Sequence, residues 1–190
     1  MKSLLSFARF ADRLAELEGK LASALVLLVV VVGFYNVATR YTGRFIGVQL
    51  ASNSYIELQE HLFSAVFLLG FAYILKHHVN VRVDFFYSRW PIQARAWVDL
   101  LGTVLVLIPL CLLGMFVTWN PLLRAWRVME TSGDAGGLIQ APVRTLLFGS
   151  FILLLIQSVG QAIKYWAATR GDTEVIRQLR LNDYEPTHSE

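Results

Sequence analysis

The sequence predicts an all-α membrane protein: four transmembrane helices, both chain ends on the cytoplasmic side, and an amphipathic helix at the N-terminus. Three observations carry this. Of the 190 residues, 55% are hydrophobic and only 16% charged, more apolar than a soluble domain of that length. The charges are bunched, so that no Asp, Glu, Lys or Arg occurs over 21–39, 100–123 or 145–163. Each gap approaches the roughly 20 apolar residues that cross a bilayer core as a helix. The basic residues, finally, fall unevenly on the two sides of these gaps.

Residues 1–20 form the first element, an amphipathic cytoplasmic or interfacial segment. At 100° per residue, Leu4, Phe7, Ala8, Ala11 and Leu14 share one side of a helix, and Lys2, Arg9, Asp12, Arg13, Glu16 and Lys20 share the other. That pattern fits a helix lying on the inner membrane surface, and equally a cytoplasmic extension of the first span. The transmembrane domain covers 21–166, with spans at about 21–41, 55–76, 94–119 and 143–166. The second is the least apolar. Its charge-free run, 61–75, reaches spanning length only by starting near Tyr55 and taking in Glu57 and Glu60. Residues 167–190 form a cytoplasmic tail, helical to about Leu181. The first run reads as an uncleaved anchor, because the segment before it is long, contains Asp12, Glu16 and Glu18, and is followed by no small-x-small cleavage site.

Orientation comes from the charge count. The N-terminal segment, the connection between spans two and three and the C-terminal segment together hold twelve Lys and Arg. The other two connections hold Arg40, Arg44, Arg124, Arg127 and Arg144, completing the 17 in the chain. The positive-inside rule places the twelve in the cytoplasm. Trp90, Trp119, Trp126 and Trp166 fall near span ends, as an aromatic belt would. The basic pI of about 9.2 is explained by these flanks, so nucleic acid is not an expected partner.

Each ionisable group at membrane depth costs about 2.5–3.5 kcal/mol on insertion scales and needs a reason. Glu57, Glu60 and His61 lie at i, i+3 and i+4, on one helix face, with Ser64 a turn beyond. They read as half of a carboxylate–histidine metal site, as a proton relay, as contacts to a partner helix, or as wet groups at the outer interface. No second Glu-x-x-His motif completes a metal site, and one helix carrying His61, His77 and His78 cannot clamp both faces of a haem. Asn36, Gln157, Ser158 and Gln161 are candidates for interhelical hydrogen bonds at about 0.6–2 kcal/mol each. Arg95 and Asp99 are spaced to pair, and Pro109 should kink the third span. Cys111 reads as a small apolar packer, since a lone thiol forms no internal disulfide. There is no phosphate loop, nucleophile elbow, paired acid–base set or inverted repeat with broken helices. The residues therefore predict neither an enzyme nor a cofactor.

The stretch "KHHVNVRVDFFYSRWP", 76–91, alternates like a strand but sits between two apolar runs, with nothing to pair against. It reads as a short cytoplasmic connection against the membrane, Val and Phe dipping inward and Arg82, Arg89 and Arg95 facing headgroups. From His78 onward it resembles the segment after the second span in the small membrane subunit of tripartite ATP-independent periplasmic (TRAP) transporters, the DctQ-like small permease. His78, Val79, Val83 and Asp84 carry that likeness, with two residues more than the common spacing. "NSYIELQEHLFSAVFLLGFAYILK" is similar to the family's second helix, and Gly136, Gly137, Leu138 and Pro142 carry a likeness to its periplasmic loop and fourth helix.

The resemblance, spanning about 21–164, implies a multi-pass protein of the bacterial inner membrane. Its partners would be membrane lipid, a large sodium-binding permease subunit and, through the assembled complex, a periplasmic protein that captures an organic acid or related solute. The chain itself would scaffold the large subunit. Glu57, Glu60, His61, His78, Asp84, Gln157 and Gln161 would then be structural or partner contacts. The alternative is a stand-alone proton-coupled carrier or redox protein using Glu57, Glu60 or His61.

Overall fold

The structure is a computed structural model that describes residues 2–48, 50, 52–77, 90–133, 136–172, 175–177 and 179. His78, Asp84, Arg82 and Arg89 of the second connection, and tail residues 180–190, lie outside the described residues. Helix α1 spans Lys2–Ile46, α2 Asn53–Lys76 and α3 Ile92–Gly102. A π-helical turn, Thr103–Leu107, joins α3 to α4, Ile108–Val128, and α5 spans Ala141–Thr169. Among the described residues four stretches are long and apolar enough to cross a membrane: Ser3–Ile46, Asn53–Lys76, Gln93–Val128 and Ala141–Thr169. The all-helical, four-span fold class is therefore observed.

Local chemistry explains the ends of these helices. Gly47, at φ +71°, ends α1 in the left-handed conformation that lets the Val48 N–H return to the Gly43 carbonyl at 3.0 Å. At the end of α5, Gly171 and Asp172 close the same type of cap onto Ala168 and Ala167. The α4 cap uses a residue with a side chain: Met129 takes φ +47° so that the Glu130 N–H reaches the Ala125 carbonyl. α3 starts behind Pro91, whose carbonyl receives the Ala94 and Arg95 N–H groups. The disturbance expected at Pro109 takes the form of the π turn. Proline cannot donate to Leu105 and its ring crowds that carbonyl, and the turn just before it widens until the Ile108 N–H bonds Thr103.

Backbone contacts divide the chain into two compact units. Unit 1 holds Met1–Glu16, Phe71–Leu113 and Ile152–Glu190; unit 2 holds Leu17–Gly70 and Gly114–Phe151. The first turns of α1, the end of α2, α3 and most of α5 thus fall in unit 1, and the connections after α1 and before α5 fall in unit 2.

Unit 1 is packed through small residues. Ala8, Ala11 and Ala15 of α1 are each 1% exposed. A Cβ added at Gly160 of α5 would lie 3.0 Å from the Ala11 Cβ and 3.6 Å from the Ala8 Cα. Close backbone approach of this kind is how helices associate when surrounding lipid is as apolar as the contact itself. Ala96, Tyr165, Ala167, Ala168, Val175 and Leu179 form a second cluster, bordered by Leu5, Leu100 and Ile176. The amphipathic N-terminal stretch is the first part of α1 rather than a separate helix. Its Leu4 and Phe7 are exposed, while Asp12 and Glu16, assigned by their angular position to the headgroup side, point at α2 and α5 (below). The alanines, not the larger apolar residues, choose the packed face.

In unit 2, Tyr35 and Tyr55 meet edge to face at 5.2 Å, and Trp119 packs on Phe148 at 5.3 Å. Gly114 admits the Phe151 ring, which would be 2.5 Å from an added Cβ. The 129–140 connection is a hairpin-like loop: Thr131 and Ile139 form an antiparallel bridge, the Ser132 N–H donates to Leu138 and the Gln140 N–H to Glu130.

Gly160→Val should therefore lower the thermal unfolding temperature of the detergent-solubilised protein, by an overpacking cost of about 1–3 kcal/mol. Gly102→Ala, where an added Cβ meets nothing within 4 Å, should leave it equal or slightly higher.

Candidate functional site

The residues singled out in the second span do not converge. Glu57 is 4% exposed, and its Oε2 accepts the backbone N–H of Leu138. One turn earlier, the Ser54 hydroxyl donates to the Gly136 carbonyl at 2.7 Å. The first two turns of α2 therefore grip the loop that precedes α5. A carboxylate suits this task because it offers a charged acceptor to a peptide N–H that would otherwise be stranded.

His61 turns its ring back onto its own helix. Its Nδ1 lies 2.7 Å from the Glu57 carbonyl, so Nδ1 carries the proton and donates. Nε2 is buried and meets no donor among the described residues. Glu60, by contrast, is exposed on the chain surface. Among the described residues no group of three His, Cys, Asp or Glu side chains is placed to hold a metal ion. One face of a helix thus separates into three environments: a loop anchor, a ring bound to its own helix and an outward carboxylate.

The polar residues of the fourth span fall in unit 1, where they belong to a larger network. Gln157 and Gln161 are 1% and 0% exposed. Gln157 Nε2 donates to Asp12 Oδ1 at 3.2 Å, and Gln161 Nε2 to the Leu75 carbonyl at 3.4 Å. Lys164 donates to the same Asp12 oxygen at 2.5 Å, its side chain only 9% exposed. One turn along α1, Glu16 Oε1 receives Lys76 Nζ at 2.5 Å and faces His77 Nε2 at 2.8 Å. Two acids from α1 are thereby matched by one lysine from α2 and one from α5. An unmatched charge in such surroundings would be several kcal/mol more costly than the matched pair.

Sequence reasoning missed this network, although the signals were present. Lys164 ends the charge-free run 145–163 abruptly. Asp12 and Glu16 stand at i, i+4 beside the small residues Ala8, Ala11 and Ala15. Acids sharing a stripe with alanines point inward as readily as outward, and only a packed partner decides which.

An arginine contact organises unit 2. Arg144, which opens α5, donates from Nη1 to the Pro121 carbonyl at 3.1 Å and from Nη2 to Glu130 Oε1 at 3.0 Å. It ties the end of α4 and the loop to the fourth span. Trp126 donates its indole N–H to Thr145 at 2.9 Å beside it.

Most of the buried polar groups in each unit are thus matched internally, while the Glu18 carboxylate and His61 Nε2 are buried without a hydrogen-bond partner among the described residues. The family model for tripartite ATP-independent periplasmic transporters, DctQ component, matches residues 29–168. The chain belongs to the DctQ family. No curated protein and no solved structure gives a match. The DctQ match covers most of the chain and all four apolar stretches in whole or part. It begins after Asp12 and Glu16 and includes their partners Lys76 and Lys164. As a DctQ-family member with four helices long and apolar enough to cross a membrane, the chain is a multi-pass membrane protein of a TRAP-transporter component family.

Two measurements check the site. Lys164→Met should destabilise the solubilised protein by about 2 kcal/mol, less than for a fully buried pair because Asp12 keeps some solvent contact. The double variant Asp12→Leu with Lys164→Met should recover most of that loss, read as the coupling in a thermal-unfolding double-mutant cycle. Glu57→Leu should speed hydrogen exchange at the Leu138 amide by about tenfold or more, while amides in the middle of α5 stay protected.

Proposed function

We propose that this chain is the small membrane subunit of a TRAP transporter in the bacterial inner membrane. In this role it enlarges and steadies the fixed scaffold of a large permease subunit. The assembled system takes up an organic acid or related solute, coupled to sodium, after a periplasmic binding protein delivers it. The observation that carries this reading is the DctQ match over residues 29–168.

The side chains support it in a specific way. Asp12, Glu16, Lys76, Lys164, Gln157 and Gln161 bond one another or backbone, and Glu57 is engaged with the 129–140 loop. A carrier needs such groups free to exchange a proton or an ion; a scaffold needs them closed. Large apolar side chains meanwhile stand outward, with Phe34 75%, Phe45 92% and Phe116 78% exposed. Such a surface suits lipid and a partner's helices alike.

We place both termini in the cytoplasm, on the count of twelve basic residues against five. The grouping of the start of α1, the end of α2, the start of α3 and the end of α5 in unit 1 is in keeping with that arrangement.

Co-expression should show the tagged chain capturing a much larger polytopic protein. Proteoliposomes holding the chain alone should take up none of a panel of labelled organic acids under a sodium gradient, whereas the three-component system should take up its substrate. Uptake by the chain alone would remove the proposal. Alkaline phosphatase fused after Glu190 should be inactive, and inserted after Gly133 it should be active.

A further inference from the structure

α2 carries two acids three residues apart, and the structure treats them in opposite ways. Glu57 is 4% exposed and accepts the Leu138 N–H. Glu60 is exposed and has no hydrogen-bond or ion-pair partner among the described residues. It lines an open cavity of about 570 Å³ with Val29 of α1 and Ile56, Gln59, Phe63 and Ser64 of α2. Gln59 and Ser64 give that cavity polar groups beside the carboxylate, and Phe63, 63% exposed, gives it an apolar edge.

Glu60 is also drawn into the membrane by the length of its own helix. The charge-free run after it, 61–75, is 15 residues, or about 22 Å of helix, well short of a hydrocarbon core about 30 Å thick. The full 24 residues of α2 give about 36 Å, which is enough. When α2 spans with Asn53 and Lys76 at the two interfaces, Glu60 stands seven residues, about 10 Å, inside its end. An outward carboxylate at that depth faces acyl chains unless another chain covers it. Glu57 has its partner within the chain, so the demand falls on Glu60.

We propose that the cavity around Glu60 is a docking point for a cationic side chain, Lys or Arg, projecting from a membrane helix of the large permease subunit. The choice of occupant rests on charge complementarity. The carboxylate supplies a negative charge, Gln59 and Ser64 supply further acceptors for a guanidinium or ammonium group, and the rim of Val29, Ile56 and Phe63 excludes lipid headgroups. This deepens the subunit reading above and rests on it.

The test uses the full chain co-expressed with its large subunit. A photo-reactive benzophenone side chain in place of Phe63 should form an adduct with the large subunit on illumination. Glu60→Gln should weaken capture of the large subunit about tenfold, while the isolated variant unfolds at the wild-type temperature because Glu60 has no internal partner to lose. Glu60→Lys should abolish capture, and a single Lys or Arg to Glu exchange in the crosslinked helix should restore it. If the wild-type complex forms but the position-63 adduct contains only lipid, or a second copy of this chain, the docking proposal is overturned and the subunit reading stands. If Glu60→Gln captures the large subunit as well as wild type does, the docking proposal is likewise overturned. If the wild-type chain captures no large subunit, the reading beneath it is overturned as well.

Discussion

A helix crossing hydrocarbon satisfies its own backbone but leaves its ionisable side chains stranded, and every charge within the apolar stretches of this chain must answer that constraint. The pair between Asp12 and Lys164, at 2.5 Å, is its clearest expression. Lys164 sits at the end of α5 with its side chain almost wholly covered, and it is tolerable there only because α1 reaches far enough to bring Asp12 alongside. The Ala8, Ala11 and Gly160 contact makes that reach possible, since larger side chains would hold the two backbones apart. Packing and electrostatics are therefore one arrangement in unit 1: small residues set the approach, and the approach sets the ion pairs.

Unit 2 meets the same constraint by other means. Its polar groups bind backbone as often as side chain: Glu57 and Ser54 hold the 129–140 loop, and Arg144 grips the Pro121 carbonyl. These contacts order a connection that has little apolar surface of its own. A loop fixed through main-chain atoms keeps its shape whatever side chains it displays.

The two halves of the polar inventory bear on function differently. Most groups turned inward are consumed by the fold, Asp12 with Lys164, Glu16 with Lys76 and Glu57 with the Leu138 N–H, while the Glu18 carboxylate and His61 Nε2 are buried without a hydrogen-bond partner among the described residues. Along the charge-free runs the outward surface is mostly apolar, and Glu60 stands exposed immediately before one of them, 61–75. Within a membrane, apolar surface gives partners little direction, because lipid competes on equal terms. A single polar position is what fixes register between two such surfaces, as a lone polar residue does in a coiled coil.

Much of this was readable in the linear chain. Charge-free runs of about span length must become helices because nothing else satisfies a backbone in lipid, so three spans followed from 21–39, 100–123 and 145–163, and the fourth from the shorter run 61–75 once extended back to Tyr55 across Glu57 and Glu60. Pro109 marked a disturbed helix because proline lacks the N–H that an α-helix needs. What only the tertiary structure decided was the fate of each polar group. Angular position put Asp12 and Glu16 with Arg9 and Lys20, yet the alanine face turned them toward Lys164 and Lys76. Glu57, Glu60 and His61 share one face in sequence, yet one binds a loop residue 81 positions away, one its own helix and one neither. A period of 3.6 residues determines which side chains point together; what stands opposite them is set by chain segments far away in sequence.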